Sequence, residues 1–182
     1  MPKHHPPREL AYAGLLGAAA LLLPVLFHLF QLGRIFMPMY LPLLTLAFLV
    51  RPWPAALTGI ITPLLSATVT GMPPFCPPVA VFMAIEIGAM AGLLSSIRSR
   101  WPAVNTWLLL AFILAFGRAI ELGLVYGFSR LHELPAGFVA GAWVFAGWPG
   151  ILLMLVSIPP IVRIVRRSAT RPLVPSKKEV PS

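Results

Sequence analysis

Charge is what this chain has least of. Charged residues make up 10% of its 182 residues, and the acidic share is five glutamates. Cysteine occurs once, at Cys76, which excludes an intramolecular disulfide and any cysteine-cluster metal site. Histidine occurs four times. His4 and His5 stand in the N-terminal segment without further ligands, while His28 and His132 fall near the ends of apolar runs as interfacial polar residues. No HExxH, no GxSxG in a strand-to-helix setting and no GxxxxGK[ST] is present. Hydrolase and nuclease chemistry therefore has no residues to rest on, and the chain has no P-loop with which to hydrolyse ATP. No catalytic residue, metal or cofactor is expected.

What is present is apolar. Hydrophobic residues reach 58% and the mean hydropathy is +0.87. Long uncharged runs of this kind read as transmembrane helices, which need ~20 residues to cross ~30 Å of hydrocarbon. Six segments follow: Leu10–Gln31, Ile35–Val50, Trp53–Thr70, Pro78–Ile97, Val104–Phe128 and Phe138–Val165. The second is short and carries Pro38 and Pro42 in its first half. Pro6, Pro7 and Arg8 lead into the first run with no distinct short h-region or cleavage site, so no cleaved secretory signal is expected.

The basic residues set the topology. With both termini cytoplasmic, Lys3, Arg8, Arg51, Arg98, Arg100, Arg163, Arg166, Arg167, Arg171, Lys177 and Lys178 lie inside, and Arg34 and Arg130 outside. Eleven against two is a strong positive-inside bias, and it favours an even number of spans. The fold expected is therefore all-α: an integral membrane bundle of six transmembrane helices over residues 10–167. Residues 1–9 form a short cytoplasmic N-terminus, and 168–182 a basic, disordered tail. The net charge of +9 sits at segment ends rather than on an aromatic-interleaved face, which disfavours nucleic acid and favours lipid headgroups as its partner.

Three ionisable residues break the apolar pattern inside the spans: Glu86, Arg118 and Glu121. A charge near the bilayer centre costs at least ~2.5–3.5 kcal/mol, so it has a partner or a task. Glu86 lies ~12 Å below the outer edge of the fourth span; Glu121 and Arg118 lie ~10 and ~15 Å below the outer end of the fifth. Arg118 and Glu121 are spaced i, i+3 and can pair. Glu86 joins them if the two helices touch. Such a cluster reads either as a register-fixing ion pair or as the polar anchor of a solute pocket open to the outside. A proton relay would need titratable groups in the inner half, which offers none.

Two apolar, proline-kinked stretches lie on the same outer side. Phe36-Met-Pro-Met-Tyr40-Leu-Pro is one, and Gly71-Met-Pro-Pro-Phe75-Cys-Pro-Pro is the other. Four prolines in six residues cannot propagate a helix, so the second is either a rigid turn or one wall of a cavity. Trp143 and Trp148 could stack on a ring, and Arg118 could meet a carboxylate or phosphate. In the first span Ala13 with Gly17, and Gly14 with Ala18, form small-xxx-small pairs suited to close helix contact.

Taken in order, Pro38-Met-Tyr-Leu-Pro42, Thr62-Pro-Leu-Leu-Ser66, Thr70-Gly-Met-Pro-Pro74, Glu86 with Ala91-Gly-Leu-Leu94, and Trp148-Pro-Gly-Ile-Leu-Leu153 running to Pro159 resemble the S components of energy-coupling factor (ECF) vitamin transporters. The resemblance spans roughly residues 10–167. It implies six membrane helices and capture of a vitamin or related micronutrient from outside. Delivery then passes through a T protein and two cytoplasmic ATPase subunits in the cell membrane. It also implies a solute pocket in the outer half, closed by the stretches Arg34–Pro42 and Gly71–Pro78, and a first helix that packs small residues against the T protein. A clean Ala-x-x-x-Ala is missing from that helix, so Ala13, Gly14, Gly17 and Ala18 take its place. Tyr40 stands where such proteins commonly carry histidine, which implies a different solute preference. The competing expectation is a membrane scaffold or assembly protein without transport. A stand-alone ion-coupled transporter is disfavoured by the lack of an internal repeat.

Overall fold

The computed structural model describes residues 6–29, 36–76, 78–133 and 147–170, and these residues form helices and connecting turns with no strand among them. Six helices are described: α1 (Pro6–Leu29), α2 (Tyr40–Ala47), α3 (Pro52–Thr70), α4 (Val79–Arg100), α5 (Thr106–Leu131) and α6 (Trp148–Thr170). All but α2 are long and apolar enough to cross a membrane. The described residues thus hold five helices of spanning length, where the sequence suggested six.

Local chemistry sets the boundaries. Arg51 is extended (φ −66°, ψ 162°), as a residue before proline must be, and Pro52 opens α3 where a backbone donor would have no partner. Gly71 closes α3 in the left-handed region (φ 71°), its N–H reaching the Ala67 carbonyl at 3.1 Å. Asn105 caps α5 by accepting the Trp107 N–H at 2.9 Å.

The second segment departs most from expectation. Instead of a continuous span from Ile35 to Val50, its described part holds a helix of eight residues, ~12 Å long. Met37 has positive φ (46°), which cannot belong to a right-handed helix, so α2 starts only at Tyr40. At the other end the chain tightens, with Leu49 N–H bonding the Leu46 carbonyl at 2.8 Å. Side chains from other helices take up the carbonyls this leaves over. Ser95 Oγ donates to Val50 O and Arg166 Nη2 to Phe48 O, each at 2.6 Å. A short helix end buried in a bundle needs such donors for its unpaired carbonyls.

Because α2 is apolar all round, it goes to the centre. It packs against α1, α3, α4 and α6. Leu43, Leu44, Leu46 and Phe48 meet Ile87, Met90 and Leu94 of α4, Leu110 and Ile113 of α5, and Met154 and Ile158 of α6 in one core. The start of α1 is tied in by Glu9, which receives Arg51 Nε at 3.0 Å.

The outward faces are as apolar as the core. Leu10, Leu15 and Leu22 of α1, Leu108 and Phe112 of α5, and Leu152, Val156 and Ile164 of α6 are all exposed. In water this would be an apolar surface far larger than monomers tolerate; in hydrocarbon it is the expected exterior. The chain is built as a multi-pass membrane protein.

The closest helix pair is α3 with α4, and glycine makes it possible. A Cβ on Gly59 would stand 3.1 Å from the Ile87 carbonyl oxygen and 3.2 Å from Gly88 Cα, both rigid backbone. A side chain there must push the helices apart. Gly59→Val should therefore destabilise by about 1–3 kcal/mol or more, read as a lower thermal midpoint of the full chain in detergent. Gly123→Val on α5, where a Cβ meets nothing within 4 Å, should shift it little.

Candidate functional site

Three helices converge on one carboxylate. Glu86 of α4 is 2% exposed, and its two oxygens are held from different directions. Tyr40, the first residue of α2, donates its hydroxyl to Oε2 at 2.7 Å. Arg118 of α5 approaches Oε1 through Nη2 at 3.3 Å. The other guanidinium nitrogen, Nη1, pairs with Glu121 one helical turn further along α5. The order is Tyr40–Glu86–Arg118–Glu121, a chain of polar groups across the bundle.

Backbone choices make room for it. A Cβ on Gly117 would collide with the Met90 sulphur and lie 3.0 Å from Glu86 Oε1. Glycine at that position lets α5 come close enough for Arg118 to reach α4. On the other side Arg118 Nη2 lies 3.6 Å from the Met37 sulphur. Met37 reaches this place from its left-handed backbone, just ahead of α2. Gly147, buried at the start of α6, leaves space for the Met37 methyl, and a Cβ there would lie 3.6 Å from Arg118 Nη1. Above the cluster, Phe82 of α4 and Phe128 of α5 meet edge to face with centroids 5.7 Å apart, and His132 lies against Phe128 at 4.3 Å. These rings hold α4 and α5 together.

Of the residues singled out from sequence, Tyr40, Glu86, Arg118 and Glu121 come together. The helices α4 and α5 touch, which was the condition for Glu86 to join the other two charges. Phe36 lies half-buried with its ring against Phe27 of α1, centroids 5.9 Å apart. Phe75 is exposed on the α3–α4 connection. That connection is tied back to α3, since Ser66 Oγ and Thr70 Oγ1 donate to the Met72 carbonyl at 2.7 and 3.1 Å. Trp148 is 58% exposed at the start of α6. Trp143 lies outside the described residues, as does the part of the last segment from Phe138 to Ala146.

Met37, Gly117 and Gly147 belong to the site and were not singled out individually from sequence. Their signal was adjacency: Gly117 precedes Arg118, Gly147 precedes Trp148, and Met37 sits within the Phe36–Pro42 stretch. The small residues of α1 divide between two faces. Gly17 is buried, its Cβ position 3.4 Å from Thr58 Cγ2 of α3, and Ala13 is half-buried beside it; Gly14 and Ala18 face outward.

Two carboxylates share one guanidinium, so the fully ionised cluster carries one excess negative charge. Its members are not equivalent. Glu86 accepts at both oxygens and is sealed in, while Glu121 is 13% exposed and pairs with Arg118. An arrangement of this kind holds a cation between two carboxylates of unequal exposure. The guanidinium fork suits a carboxylate or phosphate group, and the remaining carboxylate suits a donor.

No protein-family model matches the chain, and no curated protein or solved structure is detectably similar to it.

Proposed function

We propose that the chain is the substrate-capturing membrane subunit of an ECF-type importer. In this reading it sits in the cell membrane with both termini cytoplasmic and all six segments crossing. It binds a vitamin or related micronutrient from the outside and passes it on through a T protein and two ATPase subunits, which supply the energy this chain has no motif to supply. One observation carries the reading: the buried chain Tyr40–Glu86–Arg118–Glu121, with Met37 laid against its cation. An ionisable residue held inside a membrane bundle is by default a functional-site hypothesis. The solute's acidic group takes the Glu121 side of Arg118, while Glu86 and Tyr40 keep the guanidinium aimed.

The outward pair Gly14 and Ala18 is the surface offered to the T protein. The same pair would serve a membrane scaffold without transport, the second reading. The two differ in what travels with the protein. Mass spectrometry of small molecules carried through purification identifies a solute under the first reading and none under the second.

With that solute in hand, Arg118→Ala and Glu86→Gln should each weaken binding by at least about tenfold, or ~1.4 kcal/mol, measured by calorimetry on protein whose thermal midpoint is checked in parallel. Unchanged affinity in both variants would make the cluster a purely structural pair. Separately, Gly14→Leu with Ala18→Leu should abolish copurification of the T protein and ATPases while leaving solute affinity intact. Retained assembly would remove α1 as the docking face.

A further inference from the structure

The polar chain Tyr40–Glu86–Arg118–Glu121 is closed at one end and less so at the other. Tyr40 donates to Glu86 and ends the chain in the core. Glu121 is the more exposed carboxylate, and it meets Arg118 at Nη1, the nitrogen that Glu86 leaves over.

The helices around this end are staggered. α2 begins at the cluster, since Tyr40 is its first residue. So does α6, since Gly147, whose Cβ position is 3.6 Å from Arg118 Nη1, directly precedes Trp148. α4 and α5 instead run on past the cluster, to Val79 and Leu131, ~10 and ~15 Å beyond Glu86 and Glu121. Glu121 thus stands at a step in the bundle, where two helices start and two continue. The continuing pair carries Phe82 and Phe128, each half-buried and in edge-to-face contact. A solute at the step has ionic groups beneath it and aromatic rings beyond.

Charge counting narrows what that solute is. The proposed reading puts an acidic group on Arg118 in place of Glu121. An anion with no other charge would then leave three negative groups around one guanidinium, with Glu121 stripped of its partner. A charge left uncompensated inside the bundle is costly. A solute that brings its own ammonium group removes the fault. Its acidic group takes Nη1, its ammonium takes Glu121, and the signs along the chain stay alternating. The ionised site then keeps the same net charge, empty or full. Arg118 and Glu121 are in direct contact one turn apart, so two groups inserted between them must also be neighbours. An ammonium and a carboxylate on the same or adjacent carbons meet that condition; charges at opposite ends of a long molecule do not.

We infer that the solute is a compact zwitterion of the amino-acid type with an apolar remainder, inserted between Arg118 and Glu121. The inference rests on the solute reading above and gives that site its substrate class.

The test uses the full chain in detergent and two matched sets of probes, each sharing one carbon skeleton: phenylalanine, phenylpropionate and phenethylamine, and leucine, isocaproate and isoamylamine. By calorimetry at least one of the amino acids should bind, at least about tenfold more tightly than either of its analogues. Glu121→Gln should lower the affinity for that amino acid about tenfold and leave that for the acid analogue unchanged or higher, because the competing negative charge is gone. An equal fall for both makes Glu121 purely structural and overturns the inference. An acid analogue that binds as tightly as its amino acid overturns it too, and leaves an importer of anions standing. An amine analogue that binds as tightly overturns the inference together with the acidic contact to Arg118. Binding of neither amino acid overturns the inference alone, and the small molecule carried through purification still decides the importer reading.

Discussion

The carboxylate of Glu86 is the point on which the bundle turns. It is sealed from solvent, and it joins α2 through Tyr40 to α5 through Arg118. Removing one partner from a buried pair costs ~3–5 kcal/mol, because the charge left behind has nowhere to go. In hydrocarbon, without water to fall back on, that penalty binds the three helices to one relative register. The glycine at 117 and the left-handed turn at Met37 both accommodate this contact. The first lets α5 approach and the second brings a polarisable sulphur to the guanidinium.

A second constraint follows from the shortness of α2. A helix of eight residues in the middle of a membrane bundle leaves carbonyl groups that lipid cannot satisfy. The bundle answers with side chains drawn from distant parts of the sequence, Ser95 on α4 and Arg166 on α6. Arg166 thereby ties the last turns of α6 to a carbonyl of the core.

The broad architecture was legible because it depends on composition. Uncharged runs of spanning length need no tertiary information to be read. The charged cluster was legible for a related reason: an ionisable residue in an apolar run stands out, and the i, i+3 spacing of Arg118 and Glu121 places both on one face. The second segment was misjudged in length. Its apolar run does not show where the helix within it begins, and only its prolines hinted that the helix would be shorter than the run. Met37 and Gly147 had no signal beyond adjacency to residues that stood out, since their role comes from the meeting of segments 110 residues apart in the chain. The partition of the α1 small residues, with Gly17 against Thr58 and Gly14 outward, likewise depends on a helix rotation that spacing leaves open.

A register-fixing pair and a solute anchor are usually set against each other, but the asymmetry of this cluster lets one residue be both. Arg118 is held from one side by Glu86, itself held by Tyr40, and on the proposed reading those contacts would stay while the other side changes partner. Glu121 balances the remaining half of the guanidinium and is the more exposed of the two carboxylates. Exchange of Glu121 for an incoming anionic group would keep Arg118 paired throughout, so the cation would never face hydrocarbon alone. Glu121, released towards the outer side, would then be available to a donor on the same solute. A bare arginine waiting for cargo would be costly in this setting; one that trades partners is not. On the proposed reading, two carboxylates around one cation would give the site a stable empty state as well as a means of binding.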